Sequence, residues 1–399
     1  DIVDQPLNNF QPTSDLDNNR GNELRTNDKL LQLSTLPEPI VTAKSAFKKS
    51  KELKKFGHLK DYAVVTRKGF YGSNLPNQDR AILAFPPASI VKDGNEHHRH
   101  DFLLGIFDGH GELGHQSSAF IAHDLPRRLG LIPGSVKKPK PRNESLLKKK
   151  YIPSTILTAS STQGDISRAL EQSFIEMNNE LNYSEDNMRP NMSGSTASVI
   201  LKWGGPELYV ANVGDSRTFI CTASRISSEI EIIYESRPDK PNLPDEAARI
   251  EASESGAVYN PPNADITGES SRVVVTMPGS TSMQALAMSR SIGDGKAFQD
   301  AGVIPNPILD VVDLTPYTQQ VEDKIVFAVA ASDGLLDRID IDDAAWYIGT
   351  AMISRSDLNL LTLCEQLILE SSMKWQTQNS NLLMQYRDDI SIAVTRVHL

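Results

Sequence analysis

Two cysteines in 399 residues, Cys221 and Cys364, leave no basis for a disulfide framework or a cysteine-rich zinc site. An intracellular setting is expected on that ground. No apolar run reaches the roughly 18 residues that a membrane-spanning helix needs. Basic charge is scarce relative to acid: 41 Lys and Arg face 51 Asp and Glu, a net charge of −10. A chain of that sign lacks the basic face that a phosphate backbone requires, so nucleic acid is not expected as a partner. The chain does not begin with Met, which leaves room for a removed targeting peptide.

What the chain does have is a set of apolar strands that stop at acids. Phe102 to Phe107 is continuously apolar, as in a strand covered on both faces, and runs into Asp108-Gly109-His110-Gly111. Glycine there lets backbone and ligand approach closely. A carboxylate beside a reachable carbonyl suits a hard cation such as Mg²⁺ or Mn²⁺. Taken alone, the tetrad fits a tight turn equally well. The grammar recurs, however: Ile325 to Ala331 runs into Ser332-Asp333-Gly334, and Leu208 to Val213 into Gly214-Asp215-Ser216-Arg217. Arg387-Asp388-Asp389 precedes the strand Ile390 to Val394, and Asp79 precedes Ala81 to Phe85. Sheets bring strand ends to a common edge, where crowded carboxylates repel unless cations neutralise them. Each aspartate singly is more often a turn residue. Together they point to a metal centre.

Around these motifs the chain divides at about residue 60. Residues 1 to about 43 lack periodicity and read as a polar arm, while Lys44 to Lys60 carries seven lysines and the spacing of a short amphipathic helix. Residues 61–399 hold every chemical motif. Gly114 to Leu129 predicts a helix, and so does the face Ile166, Leu170, Phe174, Met177 and Leu181, with Asp165 as its cap. Between them, 132–163 is a basic insertion with Lys137, Lys138, Lys140, Arg142 and Lys148 to Lys150. Gly194 to Trp203, Glu207 to Val213 and Thr218 to Cys221 predict a strand meander, and residues 256–284 show little regularity. Asp342 to Ile353 and Asp357 to Trp375 predict the last helices. Meandering strands with helices inserted between them predict an α+β fold.

The ordered set Asp79, Asp108-Gly109-His110-Gly111, Gly194-Ser195-Thr196-Ala197, Gly214-Asp215-Ser216-Arg217, Ser289 to Asp294, Ser332-Asp333-Gly334 and Arg387-Asp388-Asp389 resembles the metal-dependent type 2C Ser/Thr protein phosphatases. The likeness runs from about Asp61 to Val397. It implies two packed antiparallel β-sheets flanked by helix pairs, an α-β-β-α sandwich, with a flap near 240–284. It implies phosphoserine and phosphothreonine proteins as substrates, and a monomer is expected. The resemblance further implies that Asp108 bridges two Mg²⁺ or Mn²⁺ ions, that the Gly109 carbonyl joins one, and that Asp333 and Asp388 hold the other. Asp79 belongs to the same acidic set. A water activated between the ions would attack phosphorus in line, and His110 would protonate the leaving oxygen. Asp215 and Asp337 are candidates for a third, weaker site shared with Asp333; pairing of Asp215 with Arg217 is an equal alternative. Asp294 resembles an acid near the metal centre.

Two departures from the family pattern stand out. Gln78 occupies the place where many members have Glu, which predicts weaker metal binding. An upstream arginine for the substrate phosphate is missing, with Asn74 and Asn77 in its loop, so Arg67 or Lys68 is expected to serve. Cysteine-based phosphoryl transfer finds no support, because a Cys-x₅-Arg loop would need Arg at 227 or 370, where Ser227 and Glu370 stand. A binding scaffold of the same fold would be marked by lost ligands, whereas Asp108, Asp333 and Asp388 are all present. A two-metal nuclease is disfavoured by the acidic balance.

Overall fold

The computed structural model describes residues 61–70, 76–86, 98–132, 156–183, 192–262, 264, 269–276, 283–354, 359–378 and 386–399. The N-terminal arm, the Lys44–Lys60 segment, Asn74 and most of the basic insertion lie outside the described residues. In chain order the strands are β1 (Tyr62–Arg67), β2 (Arg80–Ala84), β3 (Phe102–Phe107), β4 (Gly109–His110), β5 (Gly194–Ser195), β6 (Ala197–Lys202), β7 (Glu207–Val213) and β8 (Arg217–Ser224). There follow β9 (Ile230–Glu235), β10 (Gly256–Tyr259), β11 (Arg272–Thr276), β12 (Met283–Leu286), β13 (Ile292–Gly293), β14 (Ile308–Asp313), β15 (Lys324–Ala331) and β16 (Ile390–Val397). One five-stranded sheet has the order β1-β16-β15-β8-β9, a second β14-β7-β6-β3-β2, and all their pairings are antiparallel.

The alternation of side chains explains why these strands read as unbroken apolar runs. In β3, Phe102, Leu104 and Ile106 enter the core between the two sheets, beside Val64, Leu83, Ile200, Ala328 and Ala393. Leu103 and Phe107 face the other way, onto Ile121, Leu125, Phe174 and Met177 of helices Gly114–Arg128 and Gln163–Tyr183. The second sheet repeats the arrangement. Ala63 and Val65 of β1 with Phe327 and Val329 of β15 meet Ala344, Ile348, Leu363 and Leu367 of helices Ile341–Ser354 and Leu360–Gln378. The result is the expected four-layer sandwich of α, β, β and α.

Local signals decided some helix ends and misled at one. Asp165 does not cap its helix alone. Thr162 precedes it, Asp165 N donates to Thr162 Oγ1 at 3.3 Å, and Thr162 N donates to Asp165 Oδ2 at 3.0 Å. This reciprocal capping box satisfies two otherwise orphaned backbone donors. Residues 256–284 are also more regular than expected, since β10, β11 and β12 form a three-stranded sheet. That sheet packs Val273, Val275 and Leu286 against Ile250 of helix Pro244–Glu251, and in the same helix buried Glu246 accepts from Arg237 at 2.7 Å, Arg249 at 2.5 Å, Arg290 at 2.6 Å and Ser289 at 2.5 Å. Burial opposes ionisation of Glu246, but the hydrogen bonds from the arginines and Ser289 win and lower its pKa to about 2. Among the described residues no helix is long and apolar enough to cross a membrane.

Candidate active site

Three two-residue strands bring distant motifs to one place. β5 lies between β4 and β13, with Gly109 opposite Ser195, His110 opposite Gly194, and Ile292-Gly293 on the far side. Gly109 is required there because a Cβ would overlap the carbonyl oxygens of Gly114 and Gln78. A Cβ on Gly194 would overlap the Asp294 carboxylate. Thr196 fixes Asp108 from both sides: Asp108 N donates to Thr196 Oγ1 at 2.9 Å, and Thr196 N donates to Asp108 O at 2.9 Å. Thr196 Oγ1 also meets Ser216 Oγ at 2.8 Å, which joins this motif to Gly214-Asp215-Ser216-Arg217.

The carboxylates expected to share an edge do converge. Asp79 is fully buried, its Oδ2 accepts from Ser332 Oγ at 2.9 Å, and its Oδ1 has no hydrogen-bond partner. Desolvation, with the charges of Asp389 and Asp388 behind it, raises Asp79 to about 7. Asp108 is raised well above the usual carboxylate range by desolvation, then by the charges of Asp79, Asp333 and Asp388, and by a hydrogen bond with Asp333. Asp333 is raised in the same way by desolvation and by Asp215, Asp388 and Asp337, and its buried Oδ1 is unpartnered. Mutual repulsion of this kind is what a divalent cation relieves, and orphaned carboxylate oxygens are ligands in search of one. Among the described residues no three Asp, Glu, His or Cys side chains are already drawn together closely enough to hold a metal ion. The chemistry of the donor set nevertheless fits Mg²⁺ or Mn²⁺ in being all oxygen, several carboxylates with Gly109 next to Asp108 in the chain.

Asp389, the neighbour of Asp388, has a different task. Its Oδ2 accepts from Gln78 N at 2.6 Å and its Oδ1 from Gly69 N, so it pins the loop that delivers Asp79. Asp388 Oδ2 accepts from Tyr386 OH at 3.0 Å. The Gln78 amide donates from Nε2 to Gly111 O at 2.6 Å, a bond that a glutamate could not make. His110 Nε2 lies 2.7 Å from Asp294 Oδ2. Burial pulls the imidazole pKa down, but the charge and hydrogen bond of Asp294 outweigh it and the pKa is raised. Asp294 is held at φ 54°, an uncommon backbone state for a non-glycine residue.

Other expectations are corrected. Arg67 is 2% exposed at the end of β1, where it pairs with Ile390, so its guanidinium is not offered to a phosphate at the surface. Lys68 beside it is half-buried. Arg217 does not pair with Asp215: its Nη2 meets Glu235, and Asp215 meets Lys240 instead. Asp337 is exposed beside Asp333. Lys240 and Asp389 were not singled out as site residues by sequence reasoning, because each acts through a partner distant in the chain.

Fold and edge together define a two-sheet sandwich with an acidic rim where the strands end. A family model described as Protein phosphatase 2C matches residues 89–379. The chain belongs to that family and is a protein serine/threonine phosphatase. It is 26% identical over 357 residues to Probable protein phosphatase 2C 35 of Arabidopsis thaliana, covering 84% of this chain and 83% of that protein. It is 30% identical over 284 residues to Probable protein phosphatase 2C 1 of the same plant, spanning 69% of this chain and 56% of the relative. Its fold is similar to that of serine-threonine phosphatase 2C from Toxoplasma gondii, with a TM-score of 0.57 and 20% identity over 85% of this chain and 95% of that one.

Proposed function

We propose that the chain hydrolyses phosphoserine and phosphothreonine in proteins with two Mg²⁺ or Mn²⁺ ions held by Asp108, the Gly109 carbonyl, Asp333, Asp388 and Asp79. The observation that carries this reading is the convergence of Asp79, Asp108, Asp333 and Asp388 from four separate strand ends, with the pKa values of three of them driven up by burial and then by one another's charges. Bound there, the divalent ions supply an acidified water and neutralise charge on the phosphoryl oxygens. The remaining work falls to the chain. Thr196 and Asp389 hold the backbones of Asp108 and Gln78-Asp79 in place, so the ligands are preorganised. His110 keeps a proton for the departing serine or threonine oxygen, and Asp294 keeps His110 protonated and oriented. Lys68, at the loop entering the site, is left as the basic candidate for the substrate phosphate. The test is turnover of a phosphoserine and phosphothreonine peptide set with Mn²⁺, with and without EDTA. Turnover that needs the metal supports the reading; chelator-resistant turnover overturns it.

A further inference from the structure

Gly214 and Asp239 are locked together by two hydrogen bonds: Gly214 N donates to Asp239 Oδ2 at 2.9 Å, and Asp239 N donates to Gly214 O at 2.9 Å. The next residue along each segment is thereby held opposite the other. Those residues are Asp215 and Lys240, and Lys240 Nζ lies 2.6 Å from Asp215 Oδ2. Asp215 is 4% exposed, and its Oδ1 is buried without a partner. A longer contact from Nζ to Ser270 Oγ, 3.4 Å, ties the ammonium to the segment that leads into β11. Desolvation raises the carboxyls of Asp333 and Asp337, and the charge of Lys240 opposes it at both. The ammonium is thus felt by all three carboxylates that would make up a third metal site.

We propose that Lys240 is a built-in cation for the Asp215, Asp333 and Asp337 group, so that a third divalent ion enters only by displacing it from Asp215. The inference rests on the reading of Asp108, Asp333 and Asp388 as a two-ion centre. An ammonium suits the task because it is a compact charge with three donors on a flexible stem, able to withdraw toward Ser270 when displaced. Asp215 and Lys240 stay together because leaving either buried and unpaired is costly. The exposed Asp337 gives an incoming ion its first foothold. Displacement would also shift Lys240 toward Ser270, coupling the third ion to the segment that leads into β11.

Calorimetric titration of Mn²⁺ into the full chain tests this without recourse to activity. The unaltered chain and Lys240→Arg are expected to bind two ions. Lys240→Met is expected to bind a third, about tenfold or more tighter than any third ion in the unaltered chain, as follows from removing a unit charge a few ångströms from the site. Adding Asp337→Asn to Lys240→Met should abolish the gain. Three ions of like affinity in the unaltered chain would overturn the proposal, even where Lys240→Met fails to fold. Equal stoichiometry and affinity in the unaltered chain and Lys240→Met would overturn it as well, leaving the two-ion reading intact. An unaltered chain that binds no Mn²⁺ would remove that reading, and this proposal with it.

Discussion

His110 and Asp294, 184 positions apart, share a 2.7 Å hydrogen bond between Nε2 and Oδ2 beside the acidic edge. The bond favours the protonated imidazole, which is the form that a general acid must carry. A serine alkoxide needs that proton to leave, whereas p-nitrophenolate does not. His110→Ala is therefore expected to lower kcat on phosphoserine peptides by about 10²-fold or more, and far less on p-nitrophenyl phosphate. Asp294→Asn should follow the same substrate dependence more weakly. Equal losses on both substrates, with a raised metal requirement, would assign the pair to ordering the metal ligands.

Removing one of the proposed metal ligands separates chemistry from stability. Asp108→Asn and Asp333→Asn should each abolish turnover while leaving the melting temperature of the metal-free protein unchanged or higher, because one of several crowded charges is gone. Thermal melts in EDTA provide the check. A marked fall in the metal-free melting temperature would show that these carboxylates hold the fold instead.

The raised carboxyls also set how metal-free stability varies with pH. Asp79 titrates near 7 when folded and near the usual carboxylate value when unfolded, so between those values the native state binds more protons. Stability must then fall as pH rises from about 4 to about 7, and His110, raised above its ordinary value, adds in the same direction at the upper end. In EDTA the melting temperature is expected to be higher at pH 5.5 than at pH 8. Saturating Mn²⁺ should flatten or reverse that trend. A metal-free protein that grows more stable toward pH 8 would contradict the crowding described for Asp79, Asp108 and Asp333.

Glu246 offers a prediction remote from the metals. It is buried under three arginines, so Glu246→Ala leaves their charges uncompensated and is expected to cost about 3–5 kcal/mol in urea unfolding. Because its partners include Arg290 and Ser289, which lead into β13, loss of activity should accompany it even at temperatures where the protein stays folded. A change below about 1 kcal/mol, the scale of an exposed ion pair, would show that the cluster is not acting as a buried hub.

The parts of this molecule legible in its sequence are those set by local pattern. Apolar runs ending in Asp108, Asp215 and Asp333 announced strands and their rim, and the period of Ile166, Leu170, Phe174 and Met177 announced a helix. What stayed hidden depends on contacts far apart in the chain. The turn at Asp215 left Arg217 and a metal as equal alternatives for its partner, but the Gly214 to Asp239 lock hands it Lys240. Gln78 read as a weakened ligand position, yet its amide serves Gly111 O. Arg67 read as a free cation in a loop, yet β1 continues through it and buries it. The β10–β12 sheet escaped notice because its strands are only four or five residues long and stand among Gly, Pro, Asn and Ser.

β16 lies between β1 and β15, so the strand formed by residues 390–397 is an interior strand of its sheet rather than an edge. Asp388 and Asp389 immediately precede it. Without residues 388–397 a gap would run between β1 and β15, and the backbones of Gly69 and Gln78 would lose their hold on Asp389. One segment thus does two jobs: the strand that joins β1 to β15 is led in by the acid that acts on Asp108 and Asp333, so the sheet and the acidic edge are completed by the same stretch of chain.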